Sequence, residues 1–395
     1  MSALPVVVVG AGPAGLMAAY KLAQSGVQVL VYDHNKAPAR KFLVAGHGGF
    51  NLTHSEPVEE FVHKYTHPHI QQVVKEFDNV SVIKWLDSIG IKTFVGSSGK
   101  VFPERGIKPI EVLNAWVEAL KRLQVCFFSG YKLVDFDEEF AYFSRGDSIE
   151  SVRYGRMILA VGGGSWSKTG SDGRWTEILS RKNVNILPFQ AANSGYNTKK
   201  DFSILEGQIL KNVQIRFGDI IKKGEVLFTR YGIEGSPVYY MNRYTRKENF
   251  PLTLTLDLKP SLTVEDIAHI LRHSRKISET LKSKLNLKGA ALTLLKLLDK
   301  ETFTTAGLLA KSIKNYPIEV TGLRPIEEVI STCGGVDMDE VRQDFSLVKY
   351  PKVHCIGEML DWDAPTGGYL LQACFSMGHF CAQQIVSQQD NVSVS

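Results

Sequence analysis

The chain has 395 residues, of which 44% are hydrophobic and 22% charged, and its formal net charge at pH 7 is +5. This length exceeds what one ordinary hydrophobic core uses, so two or three domains are expected, and the hydrophobic fraction is typical of a soluble globular enzyme. No apolar stretch reaches the roughly 18 residues that a membrane-spanning helix needs, so we expect no membrane span.

The cysteines are few and scattered. There are five, an odd number, and no two of them have CxxC spacing. This pattern argues against a disulfide framework and a structural metal site, and it favours a cytoplasmic protein.

A strand, a glycine-rich turn and a helix are predicted at the start of the chain. Four consecutive valines, Val6 to Val9, are typical of a buried parallel strand. They lead into three glycines in GxGxxG spacing, Gly10, Gly12 and Gly15. In this motif the first glycine permits a tight turn, the second lets the backbone approach a pyrophosphate, and the third lets helix and strand pack closely.

A second strand and an acidic residue complete this pattern. After the predicted helix Leu16–Gln24, residues Val27–Tyr32 form the second strand and Asp33 follows it. A carboxylate at this position accepts hydrogen bonds from ribose hydroxyls, and the helix N-terminus presents N–H groups to phosphates. The sequence therefore predicts a dinucleotide site.

The loop Ala39–Glu56 combines glycines with many hydrogen-bond donors. Its polar side chains and glycines include Arg40, Lys41, Gly46, His47, Gly48, Gly49, Asn51, Thr53 and His54. Such a loop is suited to lie along a cofactor. The two histidines have no further metal-binding side chain at ligand spacing, so no metal is expected.

Helical and strand-like segments alternate between residues 57 and 164. Pro57–Val125 is mostly helical in pattern, and three strand-like segments between residues 125 and 144 predict a small antiparallel sheet. The apolar run Met157–Val161 then ends in glycines, beginning with Gly162. This run is expected to close the first half of the dinucleotide-binding fold.

The middle of the chain is different in pattern and in charge. Short alternating strands, among them Val238–Met241, predict a β-barrel or sandwich over residues 188–258, and a helical subdomain with an N-cap at Thr263 follows over 259–318. Residues 199–314 hold 21 Lys and Arg against 12 Asp and Glu. This excess makes the segment a candidate surface for a polyanion, and solvated lysines on exposed helices are the alternative.

The last segment contains a second glycine-rich site. The predicted strand Val353–Ile356 ends at Gly357 and Glu358, and a helix over residues 369–385 follows the Gly367-Gly368 turn. A glycine and an acid at a strand end suit a hydrogen bond to a flavin ribityl chain. The helix N-terminus would favour the anionic reduced flavin.

Seven stretches resemble a known bacterial family. They are VVVVGAGPAGLMAA, RKFLVAGHGGFNLTHSE, VFPERGIKP, AVGGGSWSKTGSDGRW, FTRYGIEGSPVYY, ISTCGGV and IGEMLDWDAPTGGYLLQACFSMG. The chain resembles the YhiN-like flavoproteins, also called the BaiN/RdsA family of NAD(P)/FAD-dependent oxidoreductases, and in particular the aminoacetone-oxidase-family FAD-binding subgroup.

The resemblance implies an α/β fold in which a two-part Rossmann-type FAD-binding domain is interrupted by a β-barrel and a small helical subdomain. The corresponding segments are 1–187 and 319–395 for the FAD domain, 188–258 for the barrel and 259–318 for the helices. Motifs and resemblance together predict FAD contacts from Gly10, Gly12, Pro13, Ala14, Gly15, Asp33, Arg40, Lys41, Gly48, Asn51, Gly162, Gly357, Glu358, Gly367, Gly368 and Tyr369.

The chain departs from the family pattern in two ways. The wider family often has Arg-Cys-Asn after the loop glycines, whereas this chain has Gly49, Phe50 and Asn51. Chemistry assigned to that cysteine therefore does not transfer. Asp33 replaces the more usual Glu, a change that should preserve ribose binding.

The resemblance implies an FAD-dependent reductase of an activated C=C bond, with uridine in large-subunit ribosomal RNA as one substrate. NAD(P)H is the expected electron donor. No second dinucleotide motif follows the first, so NAD(P)H is expected to bind transiently, without a Rossmann domain of its own. Cys333 and His47, both on glycine-rich segments, are the candidate catalytic acids. Residues 199–314 would bind RNA phosphates.

Two other functions remain open on sequence alone. The protein could oxidise or reduce a small metabolite, such as an amine or an enone, without any RNA. It could also be an FAD-containing RNA-binding or assembly protein in which the flavin is structural. The sequence does not give the oligomeric state.

Overall fold

The computed structural model describes residues 4–44 and 50–394, and these residues form two units. The second unit is Ala191–Ile330, and the described residues on either side of it form the first. None of the described helices is long and apolar enough to cross a membrane.

The described strands are β1 (Val6–Val9), β2 (Val29–Asp33), β3 (Thr53–His54), β4 (Thr93–Val95), β5 (Lys100–Pro103), β6 (Cys126–Ser129), β7 (Lys132–Phe136), β8 (Phe140–Arg145), β9 (Ser148–Arg153), β10 (Arg156–Leu159), β11 (Ile186–Ala192), β12 (Tyr196–Thr198), β13 (Ile209–Phe217), β14 (Ile220–Thr229), β15 (Gly232–Glu234), β16 (Leu252–Asp257), β17 (Tyr316–Leu323), β18 (Ser331–Val336) and β19 (Val353–Cys355). The described α-helices are α1 (Pro13–Gln24), α2 (Arg40–Val44), α3 (Val58–Phe61), α4 (Pro68–Glu76), α5 (Asn79–Ser88), α6 (Pro109–Arg122), α7 (Thr176–Arg181), α8 (Ser236–Thr245), α9 (Val264–Arg272), α10 (Ile277–Ser283), α11 (Ala290–Leu295), α12 (Lys300–Thr304), α13 (Ala306–Lys314) and α14 (Tyr369–Val394).

A parallel sheet forms the centre of the first unit. Its strand order is β19-β10-β1-β2-β6. Strand β1 pairs in parallel with β10 and β2, and β19, near the end of the chain, pairs with β10. All four valines of β1 are buried, as expected for a strand whose two faces are both covered. The predicted two-part Rossmann-type fold is thus confirmed.

Helices α1 and α14 pack closely against each other beside this sheet. Their approach depends on Gly378 in α14, where an added Cβ would lie 2.4 Å from the carbonyl oxygen of Ala14. A larger residue at Gly378 would push the two helices apart. Since α1 follows the glycine turn, this packing fixes the direction in which its N-terminus points.

The predicted antiparallel sheet is formed by β7, β8 and β9. Strand β6, which we predicted to belong with them, instead pairs in parallel with β2 and extends the main sheet. Phe128 of β6 stacks on Tyr32 of β2, with 4.5 Å between ring centroids. The strand-like segments look alike in local sequence, and long-range packing of this kind decides their partners.

The second unit contains a closed antiparallel barrel with the strand order β12-β15-β14-β13-β16-β17. Helices α9 to α13 lie in the chain between β16 and β17, so the barrel closes only after the helical segment. The predicted N-cap of α9 is present, because the Thr263 hydroxyl accepts a hydrogen bond from the Asp266 N–H and the Asp266 carboxylate accepts one from the Thr263 N–H. The inserted barrel and helices are therefore as predicted in type.

The predicted strand Val238–Met241 was wrong, because these residues lie in helix α8. The helix follows Gly235, whose φ of 119° turns the chain, and it has Pro237 in its first turn, where proline is well tolerated. Val238, Met241 and Asn242 are buried at helical spacing. The alternating pattern of apolar residues was too short to distinguish a strand from this helix.

A buried histidine in β19 makes stability depend on pH. Burial lowers the pKa of His354 to about 4, although the Asp344 carboxylate opposes this shift. As pH falls below about 6.5, the unfolded chain therefore takes up the proton before the folded chain does. The stability that the fold gains from an uncharged His354 is therefore fully present above pH 6.5. It is lost as pH falls toward 4.

We expect the His354 contribution to the free energy of unfolding to fall by about 2 kcal/mol between pH 6.5 and about 5. A His354→Phe protein should lack this component and lose less stability over the same interval. Urea unfolding of both proteins at the two pH values measures the difference. Identical pH dependence in the two proteins would contradict the assignment.

Candidate functional site

A crevice opens in the first unit where the parallel strands end. It contains about 1270 Å³ of empty space, part of it open to solvent. Val9, Leu159 and Ile356, at or just after the carboxyl ends of β1, β10 and β19, line its floor. In open α/β sheets, ligands bind at this edge of the sheet.

The three N-terminal glycines differ in what surrounds them. A Cβ added to Gly10, whose φ is 102°, would lie 2.4 Å from the Ala160 carbonyl oxygen, and one added to Gly15 would lie 2.0 Å from the Gly10 carbonyl oxygen. By contrast, a Cβ on Gly12 would meet no atom of the described residues within 4 Å. Gly10 and Gly12 line the crevice, whereas Gly15 is not in its lining. The space over Gly12 is therefore available to a ligand.

Asp33 connects the end of β2 to the glycine turn. Its carboxylate accepts hydrogen bonds from the N–H groups of Ala11 and Asn35, each at 2.7 Å. These contacts fix the turn, and they use one acceptor site on each oxygen. Because a carboxylate has about four acceptor sites, capacity remains for ribose hydroxyls on this crevice-lining residue.

A charged cluster joins distant segments at one side of the crevice. The Lys41 ammonium donates to both carboxylate oxygens of Glu358, at 3.0 and 2.8 Å, and to the Ser165 hydroxyl at 2.8 Å. Glu358 also accepts a hydrogen bond from the Thr332 N–H at 3.1 Å. Lys41 and Glu358 are 317 positions apart. The pair therefore ties the loop after β2 to the return segment.

Gly162, Gly357 and Arg40 also line the crevice as predicted. Gly357, with a φ of 83°, faces the first turn of α1, where an added Cβ would lie 3.0 Å from the Ala14 Cβ. Pro13 and Ala14 of that turn are themselves in the lining. The Arg40 guanidinium is exposed and donates to the Asn35 side chain at 3.1 Å.

One wall of the crevice, Thr169–Trp175, was not predicted from the sequence. The Trp175 indole donates to the Gly162 carbonyl at 2.9 Å, and the Ser171 hydroxyl donates to the Gly163 carbonyl at 3.0 Å. Gly170, with a φ of 102°, approaches the side chains of His34 and Asn35. The glycines and short polar residues of this segment were the available signal, but they do not say where a loop folds.

Besides Gly15, four more of the predicted contacts lie outside the lining of the crevice: Asn51, Gly367, Gly368 and Tyr369. The Tyr369 hydroxyl donates to Glu56 at 2.6 Å. Burial raises the pKa of Tyr369 well above its usual value, and the hydrogen bond to Glu56 raises it further. Gly368 packs on the Thr53 backbone, where an added Cβ would lie 2.5 Å away.

Of the two candidate acids, Cys333 alone lies among the described residues. Cys333 lies buried in β18, and its thiol is 3.9 Å from the Gln190 carbonyl oxygen. Cys333 is not part of the crevice lining. His47 and Gly48 lie outside the described residues. Among the residues that the structure describes, no cluster of three or more His, Cys, Asp or Glu side chains could hold a metal ion.

Comparison with protein families matches residues 4–384 to the HI0933-like protein Rossmann domain. The chain belongs to this family. Two relatives named ribosomal RNA dihydrouridine synthase match along nearly the whole chain. The Escherichia coli K12 protein is 21% identical, with 99% of this chain and 100% of the relative covered, and the Haemophilus influenzae protein is 24% identical, with 97% and 98% covered.

Solved structures with the same fold share little sequence with this family member. A 3-ketosteroid-Δ4-(5α)-dehydrogenase from Rhodococcus jostii RHA1, in complex with 4-androstene-3,17-dione, has a TM-score of 0.54 and 13% identity over 97% of this chain and 96% of its own. A flavocytochrome c3 fumarate reductase has a TM-score of 0.50 and 13% identity over 98% and 78%. At this identity the likeness establishes the fold.

The crevice fits FAD on its own geometry. The space over Gly12 is open, the first turn of α1 faces it, and Asp33 retains acceptor capacity on the same side. Lys41 and Glu358 supply polar groups at the crevice lining. Together with the family, this site makes the chain an FAD-dependent oxidoreductase.

Proposed function

We propose that this FAD-dependent oxidoreductase reduces uridine in large-subunit ribosomal RNA to dihydrouridine, with NAD(P)H as the electron donor. The observation that carries the proposal is the full-length match to two relatives named ribosomal RNA dihydrouridine synthase. The match includes both the crevice and the inserted second unit, so no large part of those relatives lacks a counterpart here.

The proposed role of the first unit is to hold FAD. Gly12, Pro13 and Ala14 would receive the pyrophosphate, because the open space and the α1 N-terminus lie there. Asp33 would accept hydrogen bonds from the ribose. Gly162, Gly357 and the Lys41–Glu358 pair would contact the rest of the cofactor.

Bound FAD in its reduced form would supply hydride-transfer chemistry for the uracil C5=C6 bond. One carbon of that bond must receive a proton from an acid held by the protein. Cys333 and His47 remain our candidates for that acid. The other polar groups of the crevice would orient the ring system and exclude water.

The second unit supplies the charge that a polyanionic substrate requires. Its segment 199–314 has 21 basic against 12 acidic residues. Many of its lysines are exposed, including Lys211, Lys223 and Lys288. This excess suits a polyanion, and we therefore favour RNA over a small metabolite as the substrate.

A reconstituted reaction tests this function. The purified FAD-loaded protein, NADPH and unmodified large-subunit rRNA are incubated without oxygen, and the RNA nucleosides are analysed by mass spectrometry. We expect dihydrouridine to form in proportion to the NADPH consumed, and a Gly12→Val protein to form none. NADPH oxidation without dihydrouridine would contradict the proposal. So would a failure of the protein to oxidise both NADPH and, in a parallel reaction, NADH.

A further inference from the structure

A second cleft lies entirely within the unit Ala191–Ile330. It is bounded by the β13–β14 hairpin, by the segment Leu258–Ser261 after β16, and by the turn and first residues of α11 at Asn286–Ala291. The cleft contains about 1700 Å³ of empty space, part of it open to solvent. Barrel and helical segment thus form a groove at their junction.

Lysines dominate the polar lining of this cleft. Each of the three boundaries contributes: Lys211 and Lys223 come from the hairpin, Lys259 from the segment after β16, and Lys288 from the turn. The one acidic residue in the lining is Glu225, whose carboxylate is 4.0 Å from the Lys211 ammonium. The lining therefore has a net charge of +3, contributed by segments that are far apart in sequence.

Three of these lysines are not neutralised by neighbouring acids. No carboxylate among the described residues lies within 4.0 Å of Lys223, Lys259 or Lys288. Nearby Lys314 is different, since it pairs with Asp257 at 2.6 Å and donates to the Lys259 carbonyl oxygen. The cations that face the cleft thus remain available to an external anion.

A β-bulge opens the hairpin at the edge of the cleft. The pairing of β13 with β14 shifts register between Leu210 and Val213. Asn212 has a φ of 55°, so the chain leaves the regular strand, and both Lys211 and Asn212 are exposed. Bulges of this kind redirect side chains from the normal alternation. Here the bulge puts an ammonium and an amide at the cleft together.

We propose that this cleft binds the phosphate backbone of RNA. Ammonium groups bind phosphates as point charges, and the described residues that line the cleft include neither an aromatic ring for stacking on bases nor an arginine for bidentate base contacts. Contacts to the backbone position an RNA without reading its sequence. This inference rests on the proposed function and assigns the RNA-binding role to a site separate from the FAD crevice.

Two matched sets of substitutions test the cleft. In the first, Lys211, Lys223, Lys259 and Lys288 are all changed to Gln. In the second, four exposed lysines that lie outside the lining are changed to Gln. They belong to the helical segment between β16 and β17 and are Lys282, Lys284, Lys296 and Lys300. The two proteins have equal net charge. FAD absorbance and thermal unfolding of each, compared with the parent, verify folding.

Fluorescence anisotropy of a labelled large-subunit rRNA fragment at several salt concentrations gives the affinity and its salt dependence. Each lost phosphate contact lowers the slope of log K against log salt by about 0.7 for single strands, so the cleft variant should lose about 2.8. Its affinity at low salt should fall by at least about tenfold. The control set should change the slope by less than about 1.

A Glu225→Gln protein supplies a test of opposite sign. Removing the one acid in the lining should raise RNA affinity by about twofold or more at low salt, with the gain disappearing as salt screens the charge. Equal losses in the cleft and control sets, or no loss in either, would overturn the proposal.

The binding assay does not depend on catalysis. If the parent binds RNA through these lysines but forms no dihydrouridine, the proposed function is wrong and RNA binding in the cleft is supported. If the parent forms dihydrouridine and the cleft variant binds RNA as the parent does, the proposed function is supported and RNA binding in the cleft is wrong.

Discussion

A Gly12→Val protein is expected to fold like the FAD-stripped parent but to bind FAD at least about 100-fold more weakly, which corresponds to about 2.8 kcal/mol. Gly12 has φ of −83° and ψ of 179°, an extended conformation that valine adopts readily. A Cβ there would meet nothing within 4 Å in the part of the chain that the structure describes. The side chain would instead fill the space proposed for the pyrophosphate.

Flavin absorbance of the purified protein and FAD titration of the stripped protein measure this loss. Gly307→Val is the matched control, because Gly307 lies in helix α13 of the second unit and an added Cβ there also meets nothing within 4 Å. The control should retain its FAD. Stoichiometric FAD in the Gly12→Val protein would mean that the pyrophosphate does not pass over Gly12.

A Gly15→Val protein is expected to fail in a different way, by losing stability whether or not FAD is present. The added Cβ would lie 2.0 Å from the Gly10 carbonyl oxygen and 3.2 Å from the Ala160 Cβ. The first contact is with backbone that cannot rotate away, so β1 and α1 must separate. We expect the free energy of unfolding to fall by at least about 3 kcal/mol.

Urea unfolding of the FAD-stripped proteins measures this change without any contribution from the ligand. The Gly12→Val protein is the comparison here, since it adds the same side chain three positions earlier in the same motif. Its unfolding midpoint should match that of the parent, whereas the Gly15→Val midpoint should be clearly lower. Equal midpoints for the two variants would contradict the close packing of β1 and α1.

The sequence predicted the β1–α1–β2 unit well because its signals are local. The valines of β1, the spacing of Gly10, Gly12 and Gly15, and Asp33 lie within one continuous stretch. Each glycine is also required for a steric reason: a tight turn, the approach of the backbone to a pyrophosphate, or the close packing of helix and strand. The type of the inserted domains was predictable for the same reason, from short alternating strands followed by helical periodicity.

Long-range partners were not predictable from local pattern. Lys41 and Glu358 were each predicted to contact FAD, but their pairing with each other joins positions 317 residues apart. Likewise, β17 closes the barrel by pairing with β12 and β16 after five intervening helices of the described chain. The wall Thr169–Trp175 depends on where a loop folds, which neither composition nor periodicity specifies.

The proposed RNA reductase function is tested by comparing ribosomal RNA from host cells with and without this gene. Nucleoside mass spectrometry gives the dihydrouridine content of each. We expect deletion to remove a dihydrouridine from large-subunit rRNA, the parent gene to restore it, and the Gly12→Val gene, expressed at the same level, not to restore it. An unchanged dihydrouridine content after deletion would contradict the proposed RNA reductase, and the substrate would then have to be sought among small metabolites.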